Sequence, residues 1–106
     1  MSSVHDQIAK EIAENKIMIY MKGTPEMPQC GFSKAVVDVF EVLEVPFASR
    51  DVLADPALRD GIKTFSEWPT IPQVFIDGKF IGGCDIIRDM YFKGELEPLV
   101  KAALKK

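Results

Sequence analysis

A run of five consecutive apolar residues near the start of the chain most constrains the fold that this sequence can adopt. Residues 17–21 read Ile-Met-Ile-Tyr-Met and are followed at once by Lys22-Gly23-Thr24-Pro25, a composition typical of a turn or loop. A segment this short cannot cross a membrane as a helix, because a spanning helix needs roughly 20 apolar residues. The pattern instead predicts a β-strand that is buried on both faces, as in sheets that carry helices on each side.

The remaining patterns place this strand in an α/β fold. Ser3 and Asp6 have the spacing of a capping box, and Asp77-Gly78 is a two-residue hairpin turn between apolar runs. The first half of the sequence predicts a helix ending at Asn15, the strand of residues 17–21, a helix from Cys30 closed by Pro46 and a strand at residues 47–51. The second half predicts a helix capped by Asp55, two strands joined at residues 77–78, a helix ended by Gly94 and a last helix starting at Pro98. This is the element order of the thioredoxin fold, and it predicts a central mixed sheet of about four strands flanked by about five helices. Residues 1–106 are expected to form one domain.

Composition and charge narrow the classes of function. Lys and Arg number 13 against 16 Asp and Glu, which gives a net charge of -3 and a sequence pI near 5.1. The chain lacks the basic excess that supplies most non-specific affinity for a phosphate backbone, so no nucleic-acid partner is expected. The sequence has two cysteines and no basic-apolar leader segment at its N-terminus. We therefore expect a cytoplasmic protein that keeps its thiols reduced and has no membrane partner.

The segment Cys30-Gly31-Phe32-Ser33 carries the most chemistry in the chain. It lies where the loop after the first strand meets a helix, so the Cys30 thiol is expected to face unpaired N–H groups that favour its thiolate. The alternative interpretation of Cys30 is a buried structural cysteine. Ser33 stands where a dithiol motif has its second cysteine, and a hydroxyl cannot resolve a mixed disulfide. A lone thiolate is also a quarter of a typical four-ligand metal site, so other molecules must supply the missing ligands.

Two cations are candidates for binding a carboxylate near this thiol. Lys22 follows the first strand directly and is expected at the same edge of the sheet as Cys30, while Arg59 lies on the predicted helix after Asp55. For each of them the alternative is an ordinary solvated surface cation.

Two further segments are expected to border the thiol. The Ile71-Pro72 bond is either cis, which would expose the Ile71 backbone for pairing with an extended peptide, or trans at the start of an edge strand. Cys84 and Asp85 follow a glycine pair at a helix start. Cys84 is interpreted as a pocket wall, with core residue, second redox thiol and ligand as alternatives, and Asp85 either caps the helix or binds an ammonium group.

These candidate residues together describe a shallow site for a small thiol peptide with charged ends, and glutathione has those features. Trp68 and Phe75 are interpreted as packing residues.

The motifs closely resemble those of the monothiol glutaredoxins, specifically the single-domain Cys-Gly-Phe-Ser type. The resemblance covers nearly the whole chain, and its residues are Lys22-Gly23-Thr24-Pro25, Pro28, Cys30-Gly31-Phe32-Ser33, Trp68-Pro69-Thr70-Ile71-Pro72-Gln73-Val74 and Gly82-Gly83-Cys84-Asp85. It implies a glutaredoxin domain with cis Pro72 and a glutathione site that uses Lys22, Arg59, the Ile71 backbone, Cys84 and Asp85.

The resemblance also implies a function. Cys30 would be the sole protein ligand of a bridging [2Fe-2S] cluster, which two protomers and two glutathione thiolates would complete. Family members form such cluster-bridged homodimers, pair with BolA-like proteins and pass the cluster to iron-sulfur recipient proteins. One alternative is a weak glutathione-dependent oxidoreductase that removes glutathione from protein mixed disulfides, and another is a thiol redox sensor in which Cys30 and Cys84 pair reversibly.

Overall fold

A computed structural model of the chain describes residues 3–105. The elements in chain order are α1 (Val4–Glu14), β1 (Ile17–Met21), α2 (Gly31–Val42), β2 (Ala48–Asp51), α3 (Pro56–Ser66), β3 (Gln73–Ile76), β4 (Lys79–Gly82), α4 (Cys84–Phe92) and α5 (Leu96–Leu104). Over these residues the predicted four-stranded sheet with five helices is confirmed.

The sheet is mixed, with the strand order β2-β1-β3-β4. β1 runs parallel to β2 and antiparallel to β3, and β4 returns antiparallel to β3. The long connection between β1 and β2 passes through α2, whereas β3 and β4 are joined by the predicted tight turn, in which Asp77 and Gly78 have φ angles of 54° and 78°.

The strand that the sequence singled out lies at the centre of the molecule. All five residues of β1 are at most 2% exposed, which confirms a strand buried on both faces. Alternate residues of β1 enter different cores: Ile17, Ile19 and Met21 pack with α2, α4 and α5, while Met18 and Tyr20 pack with α1 and α3. Helices on both faces thus hold the sheet edge where β1 ends.

The ends of the helices follow local signals in the sequence. Ser3 and Asp6 form the predicted capping box of α1, and the Asp55 carboxylate caps α3 by accepting the N–H of Leu58 at 3.1 Å. Two boundary predictions are wrong, since β2 begins at Ala48 rather than at Phe47 and the last helix begins earlier than predicted. α5 begins at Leu96 rather than at Pro98, because a proline in the first turn removes an N–H that has no partner within the helix anyway. In the part of the chain that the structure describes, no helix is both long and apolar enough for a membrane span.

Candidate functional site

The loop from Lys22 to Cys30 is a compact turn that carries the thiol from β1 to α2. Its N–H and carbonyl groups pair across the turn: Gln29 N–H donates to the Lys22 carbonyl at 2.9 Å, and Gly23 forms an isolated bridge with Pro28. Gly23 has φ +87°, and its N–H donates to the Asp51 carboxylate at 2.9 Å. The loop is therefore tied both to itself and to the end of β2.

Cys30 occupies the N-cap position of α2 and is half-buried. The backbone N–H of Ser33, in the first turn of α2, does most to lower the Cys30 pKa below its ordinary value. The N–H of Phe32 and the charge of Lys22 lower this pKa further, while partial burial opposes them. The expected thiolate-favouring position is thus present, and the thiol is not enclosed as a structural cysteine would be.

Ser33 has a structural role that the sequence did not indicate. Its side chain is fully buried, and its hydroxyl oxygen accepts the N–H of Lys22 at 3.1 Å. This bond joins the end of β1 to the first turn of α2, so Ser33 fixes the distance between Lys22 and the helix that begins beside Cys30.

The lowered pKa of Cys30 predicts the order in which the two thiols react. Because only the thiolate is alkylated, Cys30 should reach its half-maximal rate with iodoacetamide at a lower pH than a free cysteine does. Burial raises the pKa of Cys84, so Cys84 should reach its half-maximal rate at a higher pH. Rates measured separately on Cys84→Ser and Cys30→Ser proteins check this, and the reverse order would contradict it.

Cys30 borders an open cleft of about 510 Å³. Five of the six residues that the sequence analysis proposed for the site line this cleft, namely Lys22, Cys30, Ile71, Cys84 and Asp85. They come from the end of β1, the start of α2, the loop before β3 and the start of α4. The topology therefore brings together residues that are more than 60 positions apart in the chain.

Arg59 is the proposed residue that the structure does not place in the cleft wall. Its side chain is about half exposed, and its Nε lies 3.8 Å from the carboxylate of the neighbouring Asp60. Lys63, one helical turn further along α3, lines the cleft instead. Helical periodicity could have suggested Lys63, because residues four apart lie on one face, but the sequence analysis did not single it out. A binding role of Arg59 stays a prediction.

The segment from Trp68 to Pro72 forms the wall of the cleft before β3. The Ile71-Pro72 bond is cis, which decides between the two alternatives that the sequence left open. Within residues 3–105, neither the N–H nor the carbonyl of Ile71 hydrogen-bonds another backbone group. Trp68 packs on Phe80 with ring centroids 5.6 Å apart, which confirms its interpretation as a packing residue, and it also lines the cleft.

The opposite wall is the start of α4. Gly83 is the N-cap, and no side chain caps the helix, so Asp85 lies in the first turn rather than at the cap. A Cβ at Gly83 would lie 3.1 Å from the Pro72 carbonyl oxygen, so a larger residue would push the two walls apart by a few tenths of an ångström. Cys84 is 7% exposed and its thiol is free, as expected for a pocket wall.

The described residues supply too few ligands at this site to complete a metal shell. Within residues 3–105 no group of three or more His, Cys, Asp or Glu side chains is placed to hold a metal ion. What the site offers is one activated thiol, two lysines, an unpaired backbone segment and the N–H groups of a helix start. This set suits an extended anionic ligand.

A mixed four-stranded sheet with a single reactive cysteine at a helix start defines a thioredoxin-fold thiol protein. Comparison with known proteins is more specific. The Glutaredoxin family model matches residues 17–81. The chain is 50% identical over 98 residues to an uncharacterized monothiol glutaredoxin ycf64-like protein of Synechocystis, with 92% of each chain covered. It is 42% identical over 106 residues to glutaredoxin 4 of Escherichia coli, covering all of this chain and 92% of the relative.

Among solved structures, that of reduced poplar apo GrxS14 superposes with a TM-score of 0.83 at 44% identity, covering 94% of this chain and 92% of the other. The chain therefore belongs to the glutaredoxin family, and within it to the monothiol glutaredoxins.

Proposed function

We propose that this monothiol glutaredoxin binds glutathione in the cleft and carries a [2Fe-2S] cluster that it passes to iron-sulfur recipient proteins. The observation that carries the proposal is a half-buried Cys30 with a lowered pKa, which lies beside an open cleft but has no companion protein ligands among residues 3–105. A thiolate so placed can ligate iron only if other molecules complete the shell.

Glutathione matches the polar groups of the cleft. Lys22 and Lys63 can bind a carboxylate, and the unpaired backbone of Ile71 can pair with the peptide in the manner of strand addition. The free N–H groups at the start of α4 favour a second carboxylate, while Asp85 favours the ammonium group next to it. The glutathione sulfur then lies on the side of the cleft that Cys30 borders.

Two protomers complete the cluster in this proposal. Each supplies Cys30 and one bound glutathione, which gives the four sulfur ligands of a [2Fe-2S] centre. Since half of the ligands are exchangeable small molecules, incoming thiols can release the cluster more readily than from an all-protein site. The cluster is cargo in this proposal, and it bridges the homodimer. The proposal also includes a mixed dimer with a BolA-like protein and a cytoplasmic location.

A second candidate is glutathione-dependent reduction of protein mixed disulfides. The lowered pKa of Cys30 favours it, because a thiolate is the attacking group. The buried Ser33 hydroxyl accepts a backbone hydrogen bond and offers no second thiol, so release must await an external thiol or Cys84. A colourless monomer that turns over rapidly in a reductase assay would favour this candidate over the carrier.

Lys22→Ala tests the glutathione part of the proposal. Removing the cation should loosen the bound tripeptide and shorten the half-life of the reconstituted cluster at limiting glutathione, by about threefold to tenfold for one partly exposed ion pair of about 1 kcal/mol. The decay of visible absorbance measures this half-life. Lys101→Ala is the matched control, because Lys101 lies on α5 and pairs with Glu97. Equal half-lives for the two variants would contradict a ligand-binding role of Lys22.

A further inference from the structure

Gln73 is a buried polar residue beneath the cleft wall that the proposed function does not yet use. It is the first residue of β3, pairs in register with Tyr20 of β1 and is 0% exposed. Its side-chain amide nitrogen donates to the carbonyl of Trp68 at 3.0 Å and to the carbonyl of Thr70 at 3.2 Å. A rigid central strand thus holds two points of the loop before it.

These two bonds hold the part of the loop whose backbone faces the cleft. Residues 67–72 have no regular secondary structure, and the N–H of Trp68 ties the start of the segment to Lys63 of α3 at 3.2 Å. From Trp68 onward, the hydrogen bonds that hold the loop come from Gln73, because the Ile71 N–H and carbonyl make no hydrogen bond to another backbone group within residues 3–105. The conformation of Ile71 is therefore set by its neighbours Thr70 and Pro72 and by its own side chain, which is 8% exposed and packs in the core beside α1 and α3.

The position requires a donor. The Gln73 nitrogen faces two carbonyl oxygens, while the other amide atom, Oε1, is buried with no partner among the described residues. A buried polar atom without a partner lowers the free energy of unfolding by about 1–3 kcal/mol, so an apolar side chain would be expected here if the position served packing alone. An apolar side chain at residue 73 would leave both carbonyls without the donor, and a carboxylate would repel them.

We propose that Gln73 is a positioning residue that holds the Ile71 backbone ready to pair with the bound thiol peptide. This inference rests on the proposed binding of glutathione, and it assigns Gln73 a part in that binding without any contact to the ligand.

Binding to the apo protein tests the proposal without a cluster. Trp68 is the sole tryptophan and lines the cleft, so its fluorescence can follow a titration with S-methylglutathione, which can neither ligate iron through a thiolate nor exchange disulfides. Gln73→Met keeps the side-chain length but removes the donor, and we expect its dissociation constant to rise at least fivefold. Gln73→Asn, which keeps the amide but is too short to reach both carbonyls, should do the same and serves if the methionine variant does not fold.

Ile76→Val is the matched control, because Ile76 lies in the core on the same strand and its loss of one methyl group destabilises β3 without touching the loop. Its affinity should stay within twofold of the wild type. A second measurement, the ¹⁵N relaxation order parameter of the Ile71 N–H, should fall in Gln73→Met from a rigid value of about 0.85 toward 0.6, and should not change in the control.

The two measurements separate the possible failures. Wild-type affinity in Gln73→Met, or a loosened Ile71 with unchanged affinity, would overturn the positioning role. If the wild type itself binds no S-methylglutathione, the proposed function fails. In that case, an unchanged order parameter of the Ile71 N–H in the Gln73 variants also overturns the claim that Gln73 restrains Ile71. A lower order parameter supports that claim.

Discussion

Cys30→Ser protein that is given iron, sulfide and glutathione without oxygen should stay colourless and monomeric. Serine keeps the size of the side chain, but its hydroxyl is not ionised at neutral pH and cannot replace a thiolate as an iron ligand. Because no group of metal ligands exists elsewhere in residues 3–105, nothing in that part of the chain can take over the role. We expect at least a fiftyfold loss of bound iron, measured by visible absorbance and iron content.

Cys84→Ser is the matched control for this loss. Cys84 lines the same cleft, but it is 7% exposed and burial raises its pKa, so its thiol is poorly prepared to ligate iron. This variant should still become coloured and dimeric. If instead Cys30→Ser assembled a cluster while Cys84→Ser did not, the assignment of the iron ligand would be wrong.

Gly23→Ala should have the largest effect on stability among the loop variants. A Cβ at Gly23 would lie 2.5 Å from the Met27 carbonyl oxygen and 2.6 Å from the Gln29 nitrogen, and the residue has φ +87°. The clash involves backbone on both sides of the turn, so the loop must open to admit a methyl group. We expect a fall of roughly 3 kcal/mol in the free energy of unfolding, from backbone strain together with the clash.

Gly78→Ala separates the two causes of that loss. Gly78 has a similar φ of +78°, but a Cβ there would meet nothing within 4 Å. It should therefore lose only about 1 kcal/mol, the strain of a left-handed backbone alone. Urea unfolding of the three proteins gives the comparison. Equal losses in the two variants would show that the packing of the Lys22–Cys30 loop does not constrain Gly23.

The fold followed from the sequence because its local signals agree with one another. The apolar run of β1, the capping box at Ser3 and the turn at Asp77-Gly78 each specify one element, and their order leaves few topologies. The boundaries were less certain. β2 begins at Ala48 rather than at Phe47, and α5 begins two residues before Pro98, since the ends of elements depend on packing and on backbone pairing that no local pattern records.

The candidate site was predictable in its chemistry but not in its geometry. The reactive position of Cys30 follows from its place at a helix start, which the sequence indicates. The packing of α3 and of the loop before β3 against the sheet decides three features that the sequence does not show. They are the isomer of the Ile71-Pro72 bond and the positions of Lys63 and Trp68 in the cleft wall. The hydrogen bond of Ser33 joins the end of β1 to α2, and those of Gln73 span only three and five residues but depend on the shape of the loop before β3, so no local pattern records them.

The most direct test of the account is the composition of the reconstituted species. Native mass spectrometry under anaerobic conditions should find a dimer that holds one [2Fe-2S] cluster and two glutathione molecules, which fall away together as the dimer separates. The species should not form when glutathione is left out. A cluster held by a single chain, or a cluster-containing dimer without glutathione, would contradict the claim that Cys30 needs a borrowed thiolate and a second protomer.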